Sequence, residues 1–146
     1  MTLNCNGKLI DLSSPKVMGI LNVTPDSFYD GGKFKNDKSI LIQTEKLISE
    51  GANFIDIGAY SSKPGADFVS ETEELNRLIP IVRLIHDAFP ETPISIDSFR
   101  SNVINMSIQA GAAMVNDISG GQLDPLMFET VGKLGVPYIL MHMRGT

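Results

Sequence analysis

The sequence has a single cysteine among its 146 residues. Cys5 cannot close an internal disulfide, and no chemical role is assigned to it. Long hydrophobic runs are also missing. None approaches the ~20 apolar residues that a membrane-crossing helix needs. The N-terminus has no charged region followed by an apolar run, so it does not read as a secretory signal, and the cytoplasm is the default compartment. Nor is there a positive surplus. Twelve Lys and Arg stand against 17 Asp and Glu, giving a net charge of −5 and a pI near 4.9. That balance argues against a nucleic-acid surface, which needs a basic face. An anionic substrate would have to be met by local cations or a metal.

The composition is that of an ordinary globular domain. Apolar residues make up 42% and charged residues 20%, which gives no sign of disorder and supports one buried core. The opening residues 1–14 predict a hairpin, because Asn6-Gly7 tolerates the positive φ angles of a type I′ turn. From residue 17 to residue 146 the chain alternates between two kinds of segment.

Short apolar runs predict strands at Val17–Val23, Phe54–Gly58, Ile94–Ile96, Met114–Ile118 and Tyr138–Met141. Runs this short and this apolar suit strands buried on both faces of a parallel sheet. Helical spacing predicts helices at Lys38–Glu50, Glu71–Phe89 and Arg100–Ala110, with a fourth opening at Asp124-Pro125. Ser70 and Glu73 form a capping-box pattern. Pro80 predicts a kink or a two-part helix. Ser98 is a candidate cap for the third helix. Gly51, Gly111 and Gly135 each end a helix just before a strand. The unit is therefore β-α, repeated.

Polar groups recur where the strands end: Asn22, Asp56, Asp97, Asn116 with Asp117, and His142. An open doubly wound sheet gathers its ligand at one switch point, whereas a barrel feeds one site from every strand end. The pattern favours a barrel. An eight-stranded barrel takes about 250 residues, so the expected architecture is an incomplete TIM-type (β/α)8 barrel with about five strands and four helices, behind an N-terminal hairpin.

Several polar positions have bland readings. Asp97 could cap the helix at Arg100, Asn116 could be a turn residue beside Asp117, and Ile118 and Met141 could be ordinary core. Thr24-Pro25-Asp26-Ser27, alone, is surface-turn chemistry. His142 reads as a strand-end histidine bonded to nearby backbone, and His86 as a solvated helix residue.

The motifs together carry more. Met18–Phe34 resembles the first signature of the dihydropteroate synthases. Gly58–Ala66, with Ser61-Ser62-Lys63-Pro64-Gly65, resembles the second. Ile94-Ser-Ile-Asp97-Ser, Val115-Asn116-Asp117-Ile118-Ser-Gly-Gly and Leu140-Met141-His142-Met143-Arg144-Gly145 resemble the ends of the third, fourth and fifth strands. The likeness runs the length of the chain, in order.

That resemblance implies an enzyme joining 6-hydroxymethyl-7,8-dihydropterin pyrophosphate to p-aminobenzoate, with release of pyrophosphate. Asp97 would pair with the pterin ring nitrogens and Asn116 with its amide edge, while Ile118 and Met141 would wall the ring. Asn22 would bind Mg²⁺ held by the pyrophosphate. Phe28, Ser62, Lys63 and Pro64 would lie on loops over p-aminobenzoate and pyrophosphate. No side chain is expected to act as a nucleophile. The family's second signature usually reads Glu-Ser-Thr-Arg-Pro-Gly. Tyr60 here removes a negative charge, and Lys63 keeps the charge of arginine without its bidentate fork.

Further contacts on later strands of that family have no counterpart in this sequence, so the chain is expected to be an inactive N-terminal half. A homodimer is left open for a full-length protein, and neither nucleic acid nor membrane is expected as a partner. The alternatives are a pterin-dependent methyltransferase, which would not need the Asn22–Phe34 loop, and a non-catalytic pterin-binding chain. A sugar-phosphate barrel enzyme is a distant third.

Overall fold

The computed structural model describes residues 1–23, 33–59 and 69–141. Two strands, β1 (Thr2–Cys5) and β2 (Lys8–Asp11), pair antiparallel with Cys5 opposite Lys8. Asn6 and Gly7 turn between them at φ 53° and 86°, as the primed turn requires.

The main sheet holds β3 (Met18–Asn22), β4 (Phe54–Gly58), β5 (Ile94–Asp97), β6 (Met114–Asp117) and β7 (Tyr138–Leu140). All neighbours are parallel, and spatial order equals sequence order. Among the described strands there is thus no switch point of the doubly wound kind. The helices are α1 (Lys33–Ser49), α2 (Glu71–Ala88), α3 (Ser101–Gln109) and α4 (Met127–Leu134).

Side-chain alternation sorts the core into two faces. Leu21, Ile55, Ile57, Ile94, Ile96 and Val115 pack with α-helical Ile40, Leu78, Ile85, Ile104 and Met127. Fully burying each such side chain contributes roughly 1.5–3 kcal/mol. Residues of the opposite parity, Phe54 and Met114, pack instead with Cys5, Leu3 and Ile10 of the hairpin. The helices therefore cover one face of the sheet and the hairpin closes the lower end of the other. This is one wall of a barrel with a plug at its base.

Several local expectations change. α1 begins at Lys33 rather than Lys38. α2 runs through Pro80 as one helix. Pro80 and Asn76 are both exposed, so the carbonyl that loses its partner at the proline faces water. Ser70 caps α2 as expected, accepting from Glu73 N at 3.1 Å, but the Glu73 carboxylate pairs with Arg77 rather than reaching back. Ser98 does not cap α3 by itself. It accepts from Arg100 N at 3.2 Å, while Asp124 takes Ser101 N at 2.7 Å. α4 opens two residues later than its proline suggested because Asp124 also accepts from Leu126 N at 2.9 Å. His86 is half-buried rather than solvated. A Cβ on Gly111 (φ +124°) would lie 2.6 Å from its ring, so the histidine packs over that glycine. Among the described residues, no helix is long and apolar enough to cross a membrane.

Candidate functional site

The register aligns one row of residues across the C-terminal ends of the strands. Asn22 pairs with Gly58, Gly58 with Asp97, Asp97 with Asn116, and Asn116 with Ile139. One step deeper, Ile20, Asp56, Ser95 and Met114 form a second row. The rows are two residues apart, so both look onto the face away from the helices.

The bland readings can now be weighed. Asp97 does not cap α3, since Asp124 and Ser98 take those amides. Its carboxyl lies on the interior face, pushed up to about 7 by burial first, then by repulsion from Asp56, Glu74 and Asp117. Gly58 makes room for it. A Cβ at Gly58 would stand 3.2 Å from Asp97 Oδ2. Asn116 is a strand residue, not a turn residue. The turn belongs to Asp117, which is fully buried on the helix side. Its Oδ1 accepts from Ser119 N and Oγ at 2.9 and 2.8 Å, and its Oδ2 from Gly121 N and Tyr138 Oη at 2.9 and 2.8 Å. Burial and this bond raise the Tyr138 phenol above its usual range.

Asp56 departs from its expected place. β4 ends at Gly58, and Asp56 lies one row deeper, 2% exposed. Burial raises its carboxyl above the usual value, with Ser95 and then Asn116 partly offsetting the rise. Ile118 lies just past β6, half-buried, and Met141 just past β7, 40% exposed. The two segments are drawn together at Gly120, whose Cβ would sit 2.3 Å from the Met141 carbonyl oxygen. Asn22 is exposed at the end of β3. Phe28, Tyr60, Ser62, Lys63, Pro64 and His142 lie outside the described residues.

Two arginines hold the backbone on either side of residues 60–68. Arg77 Nη1 donates to the Ala59 carbonyl at 2.8 Å and Arg100 Nη2 to the Val69 carbonyl at 2.7 Å. Arg100 also pairs with the buried Glu74 at 2.8 Å. Sequence reasoning missed these arginines, because nothing in their spacing signals a backbone partner 18 or 31 residues away.

Among the described residues, no group of three or more His, Cys, Asp or Glu could hold a metal. Asn22 still offers a hard carbonyl oxygen at the mouth. That suits a magnesium ion that keeps its waters and substrate oxygens. A shallow groove between α3 and α4, lined by Asn102, Asn105, Thr130 and Lys133, shares no residue with the strand-end rows.

What assembles is a pocket floor with a carboxyl of tunable charge, a carboxamide, and apolar flanks. Such a floor can read the edge of a flat, nitrogen-rich ring and answer positive charge within it.

Comparison with known proteins agrees with that chemistry. The chain is 46% identical over 145 residues to the dihydropteroate synthase of Haemophilus influenzae, covering 99% of this chain and 52% of that one. It superposes on the Xanthomonas albilineans dihydropteroate synthase with 4-aminobenzoic acid at a TM-score of 0.89 and 39% identity, covering 99% of this chain and 53% of that chain. Another structure of the same enzyme, in complex with 7,8-dihydropteroate, gives 0.84 and 36%, over 99% and 52%. The chain thus spans about half the length of these relatives. The family model described as "pterin binding enzyme" matches residues 18–146, and the chain belongs to that family.

Proposed function

We propose that this protein supplies the pterin-binding wall of a dihydropteroate synthase, which joins 6-hydroxymethyl-7,8-dihydropterin pyrophosphate to p-aminobenzoate and releases pyrophosphate. The observation that carries the reading is the Gly58–Asp97–Asn116 row. It sets a half-buried carboxyl and a carboxamide side by side on one interior face.

Asp97 accepts from the ring nitrogens. Its carboxyl stands near 7, so at neutral pH it is poised between its two forms. As pyrophosphate departs, positive charge grows in the pterin and favours the ionised form of Asp97, with any proton it held passing to solvent. The interaction is then stronger with the cationic ring than with the neutral one, which is the condition for lowering the barrier. Asn116 orients the ring edge, and Ile118 and Met141 flank its plane. The arylamine nitrogen attacks the exocyclic carbon, so the site orients partners and stabilises charge without a protein nucleophile.

Asn22 would hold Mg²⁺ through its carboxamide oxygen. Bound there, the ion would neutralise charge on the leaving pyrophosphate. Phe28, Ser62, Lys63 and Pro64 are proposed to face p-aminobenzoate and pyrophosphate on the strength of their signature positions.

The test is an equilibrium titration of the protein with 6-hydroxymethyl-7,8-dihydropterin, alone and with a polypeptide supplying the later strands, followed by an assay for dihydropteroate. Saturable binding is expected. No binding in either arrangement would sink the reading. Binding with methyl transfer in place of dihydropteroate formation would favour a pterin-dependent methyltransferase.

A further inference from the structure

Asp56 is 2% exposed on the interior face, and the proposed reaction does not use it. Its Oδ2 accepts from Asn116 Nδ2 at 3.4 Å. Asp56 Oδ1 and Asn116 Oδ1 are both buried, with no hydrogen-bond partner among the described residues. A carboxamide has two flips that exchange donor and acceptor. With Nδ2 toward Asp56, a proton lies between the groups. In the other flip, Asn116 Oδ1 would meet an acceptor-only carboxylate with no proton between them. The two residues share the interior face on either side of β5, whose Ser95 pairs with Asp56 and whose Asp97 pairs with Asn116.

We propose that Asp56 is a positioning residue for the ring site, holding the Asn116 carboxamide in one flip so that one Nδ2 proton points inward and Oδ1 stands free to accept from a ring N–H or amino group. The inference rests on the pterin reading and deepens it. It makes Asn116 a reader of donor-bearing ring edges, and makes a residue that need not touch substrate responsible for that polarity. An unpartnered buried oxygen is costly until a ligand satisfies it, which favours a ring presenting a matching donor.

A double-mutant cycle tests this. 6-Hydroxymethyl-7,8-dihydropterin is titrated into wild type, Asp56→Asn, Asn116→Ala and the double variant. Asp56→Asn should weaken binding about tenfold, the scale of a hydrogen bond to a charged group. In the Asn116→Ala background the same change should cost almost nothing, because Asp56 acts through Asn116. Unchanged affinity in Asp56→Asn, or losses that simply multiply, would overturn the role. A wild type that binds no dihydropterin would defeat the pterin reading and this inference together. Intact wild-type binding with an additive cycle defeats the inference alone. Should Asp56→Asn fail to fold, ¹⁵N spectra of the wild-type Asn116 side chain decide. One amide proton should resist solvent exchange in both free and bound protein. Two protons that average or exchange equally would refute the proposal.

Discussion

At the scale of single residues, the site turns on Asp97 and the space beside it. A carboxyl raised from 3.8 to about 7 binds its proton more tightly folded than unfolded. The folded state therefore holds more protons between those values, and stability falls as pH rises through that window. Asp97→Asn should leave stability little changed at pH 4. It should gain on the order of 2 kcal/mol at pH 8, less than the full shift would imply because water reaches the open face. Urea unfolding at the two pH values checks this, and equal stabilisation at both would contradict it. Gly58→Ala probes the neighbouring space. Its Cβ would press on Asp97 Oδ2 at 3.2 Å, while the backbone there has no positive φ. Dihydropterin affinity should fall severalfold with thermal stability unchanged or slightly raised, since alanine lowers unfolded-state entropy. A matching loss of both would mean that the glycine serves folding rather than the site.

At the scale of elements, the β-α alternation was legible because two periods, 2 and 3.6, are written directly into the apolar positions. The strand-end placement of Asn22, Asp97 and Asn116 followed from it. Two kinds of feature were not legible. The first is depth. The sequence places Asp56 near the end of a strand that runs to Gly58, but only the register shows that Gly58 stands level with Asn22 and Asp97 and leaves the carboxylate a row below. The second is long-range capping. Asp124 reads as the cap of the helix that follows it, yet it also closes the start of α3, 23 residues earlier, through Ser101 N at 2.7 Å. Local patterns cannot announce a cap supplied from another loop. Because Asp124 serves two helix starts, Asp124→Ala should cost about 1–2 kcal/mol, at the upper end for a cap. Ser101→Ala should cost less, since it keeps the backbone N–H that donates to Asp124 at 2.7 Å. Paired denaturation curves would distinguish this from a purely local role for Asp124 at α4, in which amide exchange at Ser101 would not accelerate.

At the scale of the whole molecule, the described sheet has two open parallel edges, β3 and β7. Ile20 on the interior face is 54% exposed, and Leu140 at the far edge is 66% exposed. Unpaired strand edges beside exposed apolar side chains tend to recruit further strands. The relatives, nearly twice as long, continue beyond the matched region, and a barrel site draws on all its strand ends. The described residues supply Asp97 and Asn116 from one wall of such a site. Binding and turnover should therefore separate. The 146-residue chain alone should take up dihydropterin weakly and form no dihydropteroate. Mixed with the C-terminal half of the Haemophilus influenzae enzyme, it should form a one-to-one complex and bind the ring at least tenfold more tightly, because enclosure strengthens each polar contact. Size-exclusion chromatography with light scattering, followed by the product assay, reads both effects. Rapid turnover by the chain alone would mean that five strands and a hairpin plug suffice for the chemistry, and that the far wall of the barrel is dispensable.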